Sequence, residues 1–154
     1  MAWFSSDEVT RITAQLKIDE GVKYEIYNDS LGKPTFGIGH LILPSDPEYK
    51  QPIGQKVSEE RVLSAFKGDL NEAIQLGKSI YPAIGTWPDE VQEILVNMTF
   101  NLGGNLRKFK KLGEALNNRD WNKAADEMMD STWYKQVKSR AERLVARMRN
   151  VKEK

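Results

Sequence analysis

Val9, Ile12 and Leu16 recur three and four residues apart, the spacing that gathers side chains on one face of an α-helix. Ser5 and Glu8 stand ahead of them with capping-box spacing, and Gly21 follows Glu20 as a left-handed cap would, so a helix is predicted over about residues 6–20. The pattern then changes period. Lys23-Tyr24-Glu25-Ile26-Tyr27-Asn28 alternates polar and apolar, the signature of a strand. Ser30-Leu31-Gly32-Lys33 reads as a turn and Thr35-Phe36-Gly37-Ile38-Gly39 as the return strand, with two glycines where something approaches the backbone closely. Pro44, Pro47, Pro52 and Gly54 make residues 44–56 a loop or irregular hairpin.

Helical spacing returns at Ser58, the predicted cap of a helix over about residues 59–80 with Val62, Leu63, Phe66, Leu70, Ala73, Ile74 and Ile80 on its apolar side. At 1.5 Å per residue it would be a rod of roughly 30 Å. Pro88 is placed for the first position of the next helix, whose residues 91–102 are apolar on most sides, as in a helix central to its lobe. Gly103-Gly104 breaks it, and shorter helices are predicted at about 105–117, 120–130 and 139–150. Strands confined to the first third and helices thereafter predict an α+β, mostly α plan in a single domain, residues 1–154. A small β-hairpin lobe spans about 14–58. The 59–80 helix joins it to a helical lobe of about 81–154, which also takes in the 6–20 helix.

Composition narrows the chemistry more than the fold. The chain has no cysteine and one histidine, His40, so disulfides, thiol nucleophiles and multi-histidine metal sites are excluded. A net charge of +1 argues against a general nucleic-acid binder. The charge is uneven: eight basic residues from Lys135 to Lys154 face only Glu142 and Glu153, a net of +6. Such a tail suits either an anionic polymer or a solvated helix face. No apolar run is long enough to span a bilayer, and the first residues lack the basic-then-apolar plan of a signal peptide. A basic nucleic-acid-binding helical domain would rest on the tail alone.

Two carboxylates stand where folding does not require them. Glu20 closes the first helix, where unpaired carbonyls disfavour a negative charge and favour the protonated form a general acid needs. Asp29, in a turn-rich strand end, is placed to stay ionised and act as a base. One protonated and one ionised carboxyl is the arrangement of glycoside hydrolysis. The same residues also suit a plainer reading, Asp29 as turn chemistry and Glu20 as the partner of Lys23 or an arginine. His40 reads as a buried histidine paired with a carboxylate, or else as a base.

Glu20-Gly21, Tyr27-x-Asp29 and Gly32-x-Pro34-Thr35-x-Gly37-Ile38-Gly39-His40 strongly resemble the T-even phage lysozyme group, glycoside hydrolase family 24. Asn97-Met98-x-Phe100-Asn101-x-Gly103, Trp121-x-x-Ala124-Ala125, Ser131-x-Trp133-Tyr134-x-Gln136 and Arg140-Ala141-x-Arg143 follow in the family's order. The resemblance implies a two-lobed lysozyme-like fold. It implies a monomeric endolysin that cleaves the β-1,4 bond between N-acetylmuramic acid and N-acetylglucosamine in peptidoglycan, with inversion and without metal or organic cofactor. It casts Glu20 as acid, Asp29 as base and Thr35 as the residue that places the water. Leu41, Phe100 and Asn101 would contact saccharide; His40, Asp69 and Arg140 would be structural support, Arg140 close to Glu20 and opposing the helix-end effect on it. Inversion implies carboxyls roughly 6.5–9.5 Å apart. The glycines of the hairpin then read as room for a sugar chain against the backbone. A protein made in the host cytoplasm without a signal peptide would need a holin-type membrane partner to reach the periplasmic wall.

Asn101, Leu112 and Glu127 depart from the family's pattern at substrate-contact positions, which bears on substrate preference. The chain also has an N-terminal extension and lacks the family's last short helix; Trp3 and Phe4 are expected to pack on the helical lobe in its place. The rivals are a lytic transglycosylase, which needs only the acid, and a catalytically silent wall-binding or tail module.

Overall fold

The computed structural model describes residues 3–152. Among them are seven α-helices and one three-stranded antiparallel sheet, divided into two compact units. One unit is Arg11–Glu72; the other joins the residues before Arg11 to everything from Ala73 onward. Helices α1 (Ser6–Glu20) and α2 (Glu59–Ile80) each have residues in both units. Both start where the sequence signals place them. The Ser5 N–H donates to Glu8 Oε1 (2.9 Å) and the Glu8 N–H to Ser5 Oγ (3.2 Å), a reciprocal capping box. Ser58 Oγ accepts from the Arg61 N–H (3.1 Å) ahead of α2.

In the Arg11–Glu72 unit, β1 (Lys23–Asn28) pairs with β2 (Pro34–Gly37), and β2 with β3 (His40–Leu41). The register sets Tyr27 opposite Thr35, Thr35 opposite Leu41, and Phe36 opposite His40. Residues directly opposite share a face, and neighbours along a strand alternate. Tyr27, Thr35 and Leu41 therefore form a row across one face, while Phe36 and His40 lie on the other. Ile26 and Phe36, on that second face, are fully buried.

The predicted return strand over 35–39 is instead two strands. Gly37 (φ 66°) and Gly39 (φ 65°) occupy the left-handed region that side chains disfavour, and this reverses the chain between β2 and β3. A two-residue strand is too short to show a period, which is why the pattern missed it. Leu63, predicted on the apolar side of α2, is 41% exposed.

The other unit is built on α3 (Asp89–Leu102). Every residue from Val91 to Thr99 is buried, and its polar members find partners there: Glu93 Oε1 lies 3.6 Å from Arg147 Nη2, and Asn97 Oδ1 accepts from Arg140 Nε. Gln92 Nε2 donates to the carbonyls of Ile84 (3.1 Å) and Trp87 (3.0 Å), and Thr99 Oγ1 to Leu95 O (2.7 Å). Pro88 is the cap of α3 rather than its first residue. The helix predicted over 105–117 is a 3₁₀ segment, Gly103–Lys108, followed by α4 (Lys110–Asn117). After α5 (Trp121–Met129) comes α6 (Thr132–Gln136), which the sequence did not reveal: five residues carry little periodicity, and only its Ser131 cap, accepting from the Tyr134 N–H at 3.2 Å, was there to be read. Helix α7 (Lys138–Arg149) completes the unit. Phe4 is 2% exposed, and Trp3 packs so closely on Gly85 that a Cβ added there would lie 3.1 Å from Trp3 Cβ.

Candidate active site

Glu20 is the last residue of α1, closed behind it by the Gly21 N–H donating to Lys17 O at 3.0 Å. Its carboxyl lies against the β2–β3 turn. A Cβ added to Gly39 would stand 2.6 Å from Glu20 Oε1 and 3.0 Å from its Cδ, so no larger residue fits beneath it. A Cβ on Gly37 would meet Val62 Cγ1 at 3.0 Å. The space left by these two glycines is thus filled by the protein itself, by Glu20 and by α2. That corrects the reading of this space as room for a sugar chain.

Asp29 and Thr35 are fixed by one residue between them. Asp29 Oδ1 accepts from the Leu31 N–H (2.8 Å) and the Lys33 N–H (2.9 Å). Thr35 Oγ1 donates to the Lys33 carbonyl (2.9 Å). The backbone of Lys33 therefore holds both side chains. Asp29 keeps its second oxygen, Oδ2, outside any hydrogen bond among the described residues. Thr35 has its single hydroxyl proton engaged, which leaves its oxygen as an acceptor. Leu41, in the same row as Thr35, is 42% exposed, more than a core residue would be.

His40 belongs to the opposite face and a closed network. Its Nδ1 lies 2.7 Å from Asp69 Oδ2 and its Nε2 2.9 Å from Asp46 Oδ2. Asp46 Oδ2 also accepts from the Leu43 N–H (2.8 Å), and its Oδ1 from Arg61 Nη2 (3.1 Å). Arg61 continues to Glu48 through Nε (2.9 Å) and Nη2 (3.0 Å). Burial alone would push the imidazole toward neutrality, but the hydrogen bonds and charges of Asp69 and Asp46 outweigh it and raise its pKa above the ordinary value. For Asp46, burial works upward, and the Leu43 N–H, His40 and Arg61 overcome it to hold the carboxyl low. Asp46 went unnoticed in the sequence because a loop carboxylate six positions after a histidine follows no period.

The remaining candidates lie in the other unit. Asn101 Oδ1 accepts from Trp133 Nε1 (2.8 Å), and Trp133 is 2% exposed, a core residue rather than an open platform. Phe100 is half-buried, beside Asn101. Arg140 is buried, its Nε donating to Asn97 Oδ1 (2.9 Å). A cavity of about 610 Å³ in this unit is lined by Lys108, Lys111, Leu112, Glu127 and Trp133 among others. It contains two of the positions that depart from the family pattern but none of Glu20, Asp29 and Thr35. Glu127 is paired with Lys123 at 3.2 Å.

Part of the tail's basic charge is taken up within the protein, while Lys135, Lys138 and Lys152 are exposed. Arg147 Nε donates to Glu90 (3.1 Å), Arg149 Nη2 to Asp126 (2.8 Å), and Arg140 is interior. Among the described residues no group of three or more histidine, aspartate or glutamate side chains is placed to hold a metal ion.

Residues 17–151 match the model of the phage lysozyme family, a stretch that includes every residue of the site. The chain belongs to the phage lysozyme family. It is a glycoside hydrolase of the lysozyme type. It is 31% identical to probable T4-type lysozyme 1 of Dictyostelium discoideum, over 90% of this chain and 93% of that protein. It is also 31% identical to the pre-baseplate central spike protein Gp5 of Enterobacteria phage T4, over 84% of this chain. The matched part is 26% of the spike protein, against 93% of the Dictyostelium protein. The peptidoglycan hydrolase gp36 of Pseudomonas phage phiKMV is 29% identical over 84% of this chain, and the match is 14% of its own length.

Proposed function

We propose that this lysozyme hydrolyses the β-1,4 bond between N-acetylmuramic acid and N-acetylglucosamine in peptidoglycan, with inversion at the anomeric carbon. Glu20 gives its proton to the glycosidic oxygen as the C–O bond breaks. A water held between Asp29 Oδ2 and Thr35 Oγ1 attacks from the opposite face. One of its protons passes to Asp29, and the two carboxyls then exchange a proton with solvent to restore the starting state.

The observation that carries this reading is the double use of Lys33. Its N–H orients Asp29 and its carbonyl takes the proton of Thr35, which leaves Asp29 Oδ2 and the Thr35 oxygen as acceptors for the attacking water. A water donating to both has its lone pairs directed away from them, toward a substrate. The match to a protein named as a peptidoglycan hydrolase supports the choice of polymer. Leu41, exposed in the same row as Thr35, would meet the saccharide.

The protein acts on the periplasmic wall as a monomer, reaching it once a holin-type partner permeabilises the membrane. The test is clearing of chloroform-treated Gram-negative cells by wild type and Glu20→Gln, with product mass read in parallel. Wild type should clear and the variant should not, and products should carry the mass of an added water. Equal clearing removes the assignment, and products lacking that water would indicate a transglycosylase.

A further inference from the structure

Tyr27 shares the site face of the sheet but has no role in the chemistry above. It stands directly across from Thr35, so its side chain leaves the sheet on the same side, and it lies two positions before Asp29 in the chain. Its ring is half-buried, and Lys23 Nζ lies over it at 4.1 Å from the centroid, a cation–π contact that fixes the ring from the strand's own start. Its hydroxyl has no hydrogen-bond partner among the described residues. Burial first, and then the negative charges of Glu20 and Asp29, hold the phenol above its ordinary pKa, which places the ring within electrostatic reach of both carboxyls and keeps the hydroxyl a donor.

The lengths of the two side chains indicate what it meets. A threonine hydroxyl sits one bond beyond Cβ, close to its strand. A tyrosine hydroxyl on the neighbouring strand stands several ångströms farther out. On the hydrolytic reading the attacking water sits against the Thr35 oxygen, close to the strand, and the longer phenol reaches beyond it, toward the attacked sugar.

We propose that Tyr27 is a further catalytic residue of this site, donating a hydrogen bond from its phenol to an oxygen of the sugar whose anomeric carbon is attacked. The proposal rests on the hydrolytic reading of Glu20, Asp29 and Thr35. It also gives Lys23 a purpose, since a cation over the ring limits its rotation.

The test compares wild type, Glu20→Gln, Tyr27→Phe and a protein carrying 3,5-difluorotyrosine at position 27, on soluble peptidoglycan fragments. Tyr27→Phe keeps the ring and should lower kcat/KM about tenfold, with an unchanged thermal midpoint. The fluorinated phenol ionises at lower pH and then cannot donate, so it should add an alkaline limb to the pH–rate profile that wild type lacks. Full kcat/KM in Tyr27→Phe beside an inactive Glu20→Gln would overturn the proposal alone. A loss that tracks a falling midpoint, without the new alkaline limb, would also overturn it by making Tyr27 structural. Activity in Glu20→Gln would remove the hydrolytic reading, and this proposal with it.

Discussion

The two faces of the three-stranded sheet carry similar polar residues and treat them differently. On the face of Phe36 and His40, capacity is used up: both imidazole nitrogens meet carboxylates, both Asp46 oxygens are bonded, and Arg61 bridges Asp46 to Glu48. On the face of Tyr27, Thr35 and Leu41, capacity is left over. Asp29 uses one oxygen, and Thr35 has donated its proton but still accepts. A carboxylate by itself therefore says little about function. What distinguishes Asp29 from Asp46, both on loops of one unit, is that Asp29 is held firmly at one oxygen and open at the other. Rigid attachment with one valence unused is what a base needs, since orientation is fixed before the substrate arrives.

The largest expected effect tests that contrast directly. Asp29→Asn preserves the Oδ1 acceptor for the Leu31 and Lys33 amides and removes only the basic oxygen. Turnover should fall by about 10²–10⁴-fold, the usual contribution of an acid or base, with little change in thermal midpoint. Asp46→Asn should do the reverse. It leaves His40 and Arg61 with a weaker partner, lowering stability by about 1–3 kcal/mol while turnover per folded molecule stays near wild type. The comparison fails if Asp29→Asn costs mainly stability or Asp46→Asn mainly activity. Calorimetry beside wall-clearing rates reads both.

Gly39→Ala should affect both properties at once, because Gly39 joins the two faces. The new Cβ would sit 2.6 Å from Glu20 Oε1, on a backbone whose left-handed φ of 65° costs an L-residue about 1–2 kcal/mol. Relief requires either the Glu20 carboxyl or the β2–β3 turn to move. Activity should drop by at least tenfold, since an acid displaced by about an ångström misses its oxygen. Wild-type activity in a stably folded Gly39→Ala would show that the close packing of Glu20 on the turn is not what positions it.

Much of this was legible in the sequence where a period or a cap recorded it. The capping box of α1, the Ser58 cap and the 59–80 helix are local signals, and the structure follows them to the residue. The Glu20, Asp29 and Thr35 set came from the resemblance to the family's motif, since spacing alone left a plainer reading of both acids open. What stayed hidden was what depends on pairing at a distance. Strand β3 exists only because β2 is beside it. Asp46 matters only because the loop returns to His40. Tyr27 reads as an ordinary strand aromatic until the register sets it against Thr35. The tail's charge is also visible along the sequence, whereas two carboxylates that pair with Arg147 and Arg149, Glu90 and Asp126, are 57 and 23 positions away.

The smallest effect concerns pH, and it isolates the closed face. The folded pKa of His40 is raised above its ordinary value of 6.5, so the stability it contributes is fully present below about pH 6.5 and is lost as pH rises through the folded value. Glu8, buried at the start of α1 and also raised, acts in the same sense but in a lower window, upward from its ordinary 4.5. Asp46 and Glu48 are held low, so their contributions are lost only as pH falls into the acid range. Thermal midpoints measured from pH 4 to 9 should therefore decline in two stages at rising pH. Glu8→Gln should remove the lower stage and His40→Asn the upper. A His40→Asn variant that keeps the full decline above neutrality would show that the histidine is not held as a cation between Asp69 and Asp46. The face opposite the active site would then be no more closed than the face that bears it.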